Sequence, residues 1–244
     1  MPGQPSPGQP QHGGPQYDRT LDSAVALITG AGGGVGAATA RRLARAGAAV
    51  ALITRSRDRM DEVVGDIAAL GGKAVALAAD ITDPDGARDA VQDAVDWFGR
   101  LDVLVNNAGV MLVNSALHAT VEEWDRMVSL NVGALLHVTH AAVPYLIDAA
   151  ATSPRQVADL VNVGSTAGRA ARPGSSVYDL TRFGLNGFSE SLRQELLGEG
   201  VRVSVIEPGR AEVAAEDVAD AIGYVVTRER RVAVNEIVLR AGDR

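Results

Sequence analysis

The sequence predicts an α/β fold: a single domain built on a doubly wound parallel sheet of about seven strands, flanked by helices. Short β-prone segments alternate with helical patterns along the chain, which is the order of βαβ units. A glycine-rich turn joins the first apolar segment to the first helical pattern. The chain has 244 residues, of which 46% are hydrophobic, and no internal repeat or linker divides it, so one large core is expected.

The predicted strands are short apolar runs, as expected for strands buried on both faces of a parallel sheet. They are residues 24–29, 48–54, 74–79, 101–106, 159–163, 201–206 and 232–239. The carboxyl ends of parallel strands share one edge of the sheet, and ligands bind at that edge where the strand order reverses. Functional side chains are therefore expected just after the strand ends.

Two helices have explicit boundary signals. Asp83 can cap a helix that has Pro84 at its first position, and apolar residues then recur at helical spacing until Gly99. Thr120 and Glu123 have the spacing of a capping box, so a second helix begins there.

The composition argues against several classes of function. The net charge is −7 and no cluster of Lys or Arg is present, so we expect no binding to nucleic acid or to a membrane surface. The chain has no cysteine and its four histidines lack a zinc-ligand pattern, so we expect no disulfide, thiolate chemistry or metal site. The weakly polar stretch 130–151 is interrupted by Asn, His, Pro and Asp, which makes it a poor membrane span.

Residues 1–20 are dominated by Pro, Gly and Gln and lack the basic and apolar regions of a secretion signal. We therefore expect a disordered extension over residues 1–20, a folded domain over residues 21–244, and a soluble, cytoplasmic protein.

The glycine-rich turn predicts a nucleotide-binding loop. Gly30, Gly34, Val35 and Gly36 follow a predicted strand and open a predicted helix, so backbone amides and the helix dipole can face a pyrophosphate without obstruction. Without its context, such a turn is explained equally well as a tight strand-to-helix connection.

The residues after the second and third strands indicate which dinucleotide fits. Arg55 stands where an acidic residue would hold the ribose 2′-hydroxyl of NAD, and an arginine there, assisted by Arg57, can instead pair with the 2′-phosphate of NADP. We therefore predict NADP, with NAD possible. Asp80 can meet the adenine edge, although an Asp at this turn also fits a helix cap. A second wall of the cofactor site is expected after the fourth strand, from Asn107, Ala108 and Gly109.

The reaction centre is predicted from Ser165, Tyr178 and Arg182. Ser165 follows the fifth strand, and Arg182 lies four residues after Tyr178, on the same face of a helix. A free tyrosine ionises only near pH ~10, but a fixed cation and the nicotinamide favour its phenolate. Tyr178 can then exchange a proton with a substrate oxygen that Ser165 positions, while Asn131, a polar residue on an apolar helix face, can hold a water in a proton relay. Alone, a Tyr-x-x-x-Arg pair is a common feature of surface helices.

Over residues 21–244 the chain resembles the short-chain dehydrogenase/reductase family. The resemblance rests on Thr29-Gly30-x-x-x-Gly34-x-Gly36, Asn106-Asn107-Ala108-Gly109, Asn131, Ser165, Tyr178 and Pro208-Gly209. It implies a Rossmann-like oxidoreductase domain, hydride transfer between nicotinamide and a small alcohol or carbonyl compound, and helix-mediated dimers or tetramers. It also implies an Asn-Ser-Tyr-Lys tetrad in which Arg182 replaces the lysine. Segments 183–190 and 234–237 look like those of bacterial NADP-dependent clavulanate-type aldehyde reductases and hydroxy-acid dehydrogenases.

Two departures from this family predict impaired catalysis. Arg182 keeps the charge of the lysine but is larger and planar, so we expect cofactor binding with reduced turnover. After Pro208-Gly209 the substrate-covering segment is shortened near residues 210–215, which predicts a high KM or negligible activity. Two alternatives follow: a catalytically weak nucleotide-binding or oligomeric scaffold of the same fold, and a sugar-nucleotide epimerase or dehydratase, which the glycine spacing disfavours.

Overall fold

A computed structural model of the chain describes residues 20–209 and 213–242. Its strands are β1 (Val25–Thr29), β2 (Ala49–Thr54), β3 (Ala74–Ala78), β4 (Val103–Asn106), β5 (Ala158–Val163), β6 (Val201–Pro208) and β7 (Glu236–Leu239). They form one parallel sheet in the order β3-β2-β1-β4-β5-β6-β7. This confirms the predicted fold class. The predicted extension lies outside the described residues except for Thr20, as do residues 210–212 of the predicted short segment.

The helices cover both faces of the sheet. They are α1 (Gly34–Arg45), α2 (Arg57–Ala69), α3 (Pro84–Phe98), α4 (Val121–Val128), α5 (Ala134–Thr152), α6 (Ser176–Glu195) and α7 (Ala215–Val226). One core lies between the sheet and α1, α2 and α7, and the other lies between the sheet and α3, α5 and α6. Strand side chains alternate between the two cores, as Ile28 and Leu27 do in β1.

The predicted helix boundaries are confirmed by their hydrogen bonds. The Asp83 carboxylate accepts from the Gly86 amide at 3.0 Å, and α3 ends at Gly99 in the left-handed conformation with φ 82°. Thr120 and Glu123 form a complete capping box at the start of α4, with reciprocal bonds of 3.2 and 3.0 Å.

The last strand begins later than predicted, at Glu236 rather than at residue 232. The reason is that side chains of β6 take the carbonyl groups just before it. Arg202 Nη1 donates to the Val232 carbonyl at 2.6 Å, and Ser204 Oγ donates to the Val234 carbonyl at 2.7 Å. These carbonyls therefore do not join the regular ladder, which starts with the pairing of Val205 and Glu236.

The helical stretch Val121–Thr152 is the one part of the described chain that is long and apolar enough to cross a membrane, with a hydropathy of 1.3. Part of this stretch belongs to the core, because the buried side chains of α5 pack against the sheet, whereas Val121, Val128 and Leu136 are exposed. The stretch also contains the buried Asn131 and an internal proline, Pro144.

A buried ionic cluster holds the amino-terminal edge of the sheet together. The Asp159 carboxylate, 1% exposed, binds Arg202 Nε at 2.7 Å and Arg155 Nη2 at 2.9 Å. Arg202 Nη1 also donates to three carbonyls after α7, those of Arg228, Glu229 and Val232. The cluster therefore ties β5 and β6 to the segment that leads into β7.

Candidate active site

The glycine-rich loop has the shape of a phosphate cradle, and close packing dictates two of its glycines. A Cβ at Gly30, where φ is +67°, would lie 2.9 Å from the Ala108 Cα. A Cβ at Gly36 would overlap the Gly30 carbonyl and lie 2.7 Å from Asn107 Nδ2. Only glycine permits this close approach of loop, helix and β4.

The other side of the same loop is open. Gly34 has φ +50°, and a Cβ built on it or on Gly33 would have nothing within 4 Å. Val35 is partly buried and packs on the core. The space beside Gly33 and Gly34 at the start of α1 is therefore open, which leaves room for an anion at this helix N-terminus.

Asn107 fixes the loop to the end of β4. Its side-chain amide donates to the carbonyls of Thr29 at 3.0 Å and Gly30 at 3.2 Å. The backbone amides of Asn107 and Ala108 both donate to the Thr29 hydroxyl at 3.0 Å. The predicted cofactor wall is thus joined directly to the predicted cofactor loop.

A cavity of about 350 Å³ opens beside this loop at the carboxyl ends of β1 to β4. It brings together five of the predicted cofactor residues, Gly30, Arg55, Asp80, Ala108 and Gly109. It also includes residues that no sequence motif marked, namely Thr54, Ile81, Thr82, Arg126, Ser129 and Leu130. The last three lie at the end of α4 and just after it, which only the tertiary structure brings to the cavity.

Charge at this cavity comes from Arg55, Asp80 and Arg126, all of which are exposed. The hydroxyl and amide of Thr82 donate to Asp80 Oδ1 at 2.7 and 3.0 Å. These bonds, with a smaller contribution from the charge of Arg55, hold the pKa of Asp80 below its ordinary value, so it is a carboxylate at neutral pH. The Asp80 carboxylate therefore binds within its own turn. It is not the cap of the next helix, because the N-cap of α3 is Asp83.

The arginines near the loop differ in their surroundings. Arg57 is 72% exposed and lies 4.0 Å from Asp61 on its own helix, and it does not line the cavity. Arg59, which no sequence motif marks, packs beside the glycine loop. Its Cβ lies 3.2 Å from the position that a Cβ on Gly32 would take.

A larger cleft of about 950 Å³ lies at the opposite edge of the sheet, near Asp22, Gly47 and Lys73. None of the predicted site residues lines it. The glycine loop and the helix N-termini converge at the carboxyl edge, and open parallel sheets bind ligands there, so we place the active site at the smaller cavity and its continuation toward β5.

That continuation contains the predicted reaction centre. Ser165, Tyr178 and Arg182 are all buried, and the Arg182 guanidinium carbon lies 5.0 Å from the centre of the Tyr178 ring. Arg182 Nη1 donates to the Val163 carbonyl at 3.2 Å, which connects α6 to the strand that leads to Ser165. Within the described residues the Tyr178 hydroxyl has no hydrogen bond, whereas the Ser165 hydroxyl accepts from the Ala167 amide at 3.2 Å. Both hydroxyls can therefore donate to a ligand.

Asn131 lies at the meeting point of the two halves of the site. It is in a π-helical turn, Ser129–Gly133, between α4 and α5, and such turns are frequent at functional sites. Its amide exchanges two bonds with the Val110 backbone, at 2.7 and 2.9 Å. A Cβ at Gly109 would lie 3.2 Å from Asn131 Oδ1 and 2.7 Å from Arg182 Nη2, so Gly109 leaves room for both side chains.

The Arg182 guanidinium is tightly enclosed and incompletely bonded. Its Nε is buried and has no hydrogen-bond partner in the described part of the chain. A buried donor without a partner is unfavourable by about 1–3 kcal/mol. Arg182 therefore brings a donor into this pocket that no described residue binds.

A buried polar network lies beneath the reaction centre. Asn106 Nδ2 donates to Thr139 Oγ1 at 2.9 Å and to Asn162 Oδ1 at 3.0 Å, and Asn162 Nδ2 donates to Ser189 Oγ at 2.9 Å. These bonds join β4, β5, α5 and α6 below the site. Polar residues inside apolar strands were the only sequence signal for the network.

The comparison with protein families decides the classification. The chain matches the family model described as short chain dehydrogenase over residues 24–220. It belongs to the short-chain dehydrogenase family. The resemblance that its motifs indicated is therefore confirmed for the family, and the finer similarity to clavulanate-type aldehyde reductases stays a prediction.

The similarity to individual proteins extends over most of this chain. An uncharacterized oxidoreductase of Staphylococcus epidermidis is 31% identical over 230 residues, which are 88% of this chain and 96% of that protein. A metagenomic short-chain oxidoreductase solved in complex with NADP has a TM-score of 0.85 at 31% identity, over 92% of this chain and 100% of the other. The 3-ketoacyl-(acyl-carrier-protein) reductase of Brucella melitensis, complexed with NADH, has a TM-score of 0.83 at 29% identity, over 90% and 97% of the two chains.

Proposed function

We propose that residues 21–244 form one NADP-dependent oxidoreductase domain that transfers hydride between nicotinamide and a small alcohol or carbonyl substrate. Tyr178 is the acid and base of this reaction. The observation that carries the proposal is its buried ring beside the Arg182 guanidinium, with a hydroxyl that no described residue engages.

The residues present fit a dinucleotide. The open space beside Gly33 and Gly34 leaves room for a pyrophosphate at the start of α1, and Arg55 supplies a cation to the cavity. The structural relatives in complex with NADP and NADH support the same cofactor class. We assign the pyrophosphate to the loop, the adenosine end to Arg55 and Asp80, and the nicotinamide ribose to Tyr178 and Arg182.

The bound nicotinamide supplies the hydride donor or acceptor. In the reducing direction Tyr178 donates its hydroxyl proton to the carbonyl oxygen, while Ser165 donates a hydrogen bond to the same oxygen and positions it. The fixed charge of Arg182 then stabilises the phenolate that remains. Asn131 holds a water through which Tyr178 regains its proton.

Replacement of Arg55 by alanine is expected to raise the Kd for NADPH by about 10- to 100-fold, because hydrogen bonds to a charged group contribute about 1.5–3 kcal/mol. The Kd for NADH should change by less than about twofold, since NADH lacks the 2′-phosphate. Fluorescence titration measures both constants. Arg57→Ala is the matched control, because Arg57 lies outside the cavity, and equal losses in the two variants would contradict the assignment to Arg55.

Replacement of Arg182 by lysine is expected to raise kcat, on the order of tenfold, with little change in the Kd for NADPH. Lysine keeps the charge beside Tyr178 and removes the buried, unpaired Nε. Steady-state reduction of the best aldehyde or ketone from a panel measures the change. Arg100→Lys, at the other edge of the sheet, should leave kcat unchanged, and an unchanged or lower kcat in Arg182→Lys would contradict our view of this arginine.

The alternative is a catalytically weak nucleotide-binding or oligomeric scaffold of the same fold. Two observations favour it: the Arg182 Nε has no partner in the described part of the chain, and the connection between β6 and α7, residues 209–214, is short. Titration with NADPH followed by a panel of small aldehydes and ketones separates the two proposals. Turnover supports the reductase, whereas tight binding without turnover supports the scaffold. A micromolar KM would contradict the predicted effect of the short connection.

We also propose a homodimer or homotetramer in the cytoplasm. Exposed apolar side chains on α5 and α6, those of Leu136, Leu180 and Phe183, support an association through these helices.

A further inference from the structure

Glu207 is a fully buried carboxylate at the end of β6, directly beside the strand that leads to Ser165. The Gly164 amide donates to the Ile206 carbonyl at 2.7 Å. A Cβ at Gly164 would lie 3.3 Å from Glu207 Cγ, so the glutamate packs flat against the residue before Ser165. A buried carboxylate is unfavourable unless its oxygens are hydrogen-bonded. The groups bound to the Glu207 carboxylate therefore show which parts of the structure it connects.

The two carboxylate oxygens reach two different elements of the site. One forms an ion pair with Arg169, which directly follows the short turn Thr166–Gly168 after Ser165. The other accepts from Asn186 Nδ2 at 2.9 Å, and the same amide donates to the Gly168 carbonyl at 3.3 Å. Glu207 therefore connects the end of the serine turn with helix α6.

The point of attachment on α6 lies on the face that carries the reaction centre. Tyr178, Arg182 and Asn186 follow one another at intervals of four residues, so they share one face of the helix. The turn and the helix are in close contact, because a Cβ at Gly168 would lie 2.8 Å from the Arg182 carbonyl. The turn that begins at Ser165 thus has little freedom relative to Tyr178 as long as the Glu207 link is intact.

We propose that Glu207 is a positioning residue, which sets the separation of the Ser165 and Tyr178 hydroxyls through Arg169 and Asn186. This inference rests on the proposed function, in which both hydroxyls meet the same substrate oxygen. Glu207 touches neither hydroxyl and does not line the cofactor cavity. Its loss should therefore affect the chemical step rather than cofactor binding.

The first test is Glu207→Gln, which keeps the shape of the side chain and removes its charge. We expect kcat for carbonyl reduction to fall by about 10- to 100-fold, because a displacement of about 1 Å at a reacting group has an effect of that size. The Kd for NADPH should stay within about twofold of the parent value. Asn186→Ala breaks the same link from the helix side and should lower kcat in the same way, which keeps the test available if Glu207→Gln does not fold.

Two control variants separate positioning from general stabilisation. Glu236 is the other carboxylate partner of Arg169, and its side chain is 46% exposed. Glu236→Gln should leave kcat unchanged. Asp159→Asn removes a buried carboxylate that also binds arginine but lies at the opposite end of the sheet. It should lower the melting temperature without lowering kcat per folded molecule. A kcat loss in Asp159→Asn equal to that in Glu207→Gln would overturn the proposal.

Hydrogen exchange provides a readout that needs no turnover. The Gly168 amide donates to the Ser165 carbonyl at 2.9 Å, and the Ala167 amide donates to the Ser165 hydroxyl. We expect these amides to exchange at least about tenfold faster in Glu207→Gln than in the parent or in Asp159→Asn. If the parent is active, a Glu207→Gln variant with the same kcat contradicts the proposed role of Glu207. Unchanged exchange of these amides in the variant contradicts it as well. A parent that reduces no carbonyl instead contradicts the proposed function, and the exchange rates then decide about Glu207 by themselves.

Discussion

Replacement of Tyr178 by phenylalanine should lower kcat by about 10³-fold, because a positioned acid or base contributes about 10²–10⁴-fold to such reactions. The ring stays in place beside Arg182, so the packing of the site is kept and only the proton donor is lost. The Kd for NADPH should change by less than about fivefold, since one neutral hydrogen bond contributes about 1 kcal/mol to that binding. Single-turnover reduction and fluorescence titration of the same preparation measure both quantities.

Tyr224→Phe is the matched control for this variant. Tyr224 is a half-exposed tyrosine on α7 that also lies against an arginine, Arg228, at 4.2 Å from its ring centre. It has the same chemical neighbour but lies outside the reaction centre, so its replacement should leave kcat unchanged. A Tyr178→Phe variant that retains more than about a tenth of the parental kcat would show that another group transfers the proton.

Replacement of Asp159 by alanine should lower the free energy of unfolding by about 3–5 kcal/mol, which is the effect of breaking a buried ion pair. It would leave the guanidinium groups of Arg155 and Arg202 without their carboxylate in the interior. Urea denaturation followed by circular dichroism measures the change, with the slope against denaturant used to check that the same surface unfolds.

Asp66→Ala is the control for this stability measurement. Asp66 pairs with Arg41 at 2.6 Å, but half of its side chain is exposed, and exposed pairs contribute at most about 1 kcal/mol. Similar losses in the two variants would show that the Asp159 cluster is no more important for stability than a surface ion pair.

The predictions made from sequence succeeded where the signal is local. The caps at Asp83 and Thr120 and the turn at Gly99 depend on atoms within a few residues of one another, and all three are as expected. The start of β7 was wrong because its outcome depends on Arg202 and Ser204, which lie about thirty residues away along the chain. Local pattern cannot show that a distant side chain will take a carbonyl group.

In the candidate site, too, the features that depend on local sequence could be predicted and those that depend on tertiary packing could not. The glycine loop could be predicted because each glycine is explained by a tight turn or an open face, and the spacing of Tyr178 and Arg182 follows from helical geometry alone. Arg126 and Ser129 could not be predicted, because α4 comes beside the cofactor cavity only through the packing of the whole domain. The role of Asn107 in holding the loop also became visible only from its bonds to Thr29 and Gly30.

By itself, the sequence determined the doubly wound sheet and the family, because hydrophobic periodicity and short motifs encode them along the chain. The residues of the reaction centre stay a prediction from the same motifs. Only the tertiary structure decided that the Arg182 Nε has no partner among the described residues and that Glu207 joins the serine turn to the tyrosine helix. The physical reason is that burial and hydrogen bonding belong to pairs of atoms. Their separation in space is set by the packing of the whole sheet and its helices, and no local spacing records it.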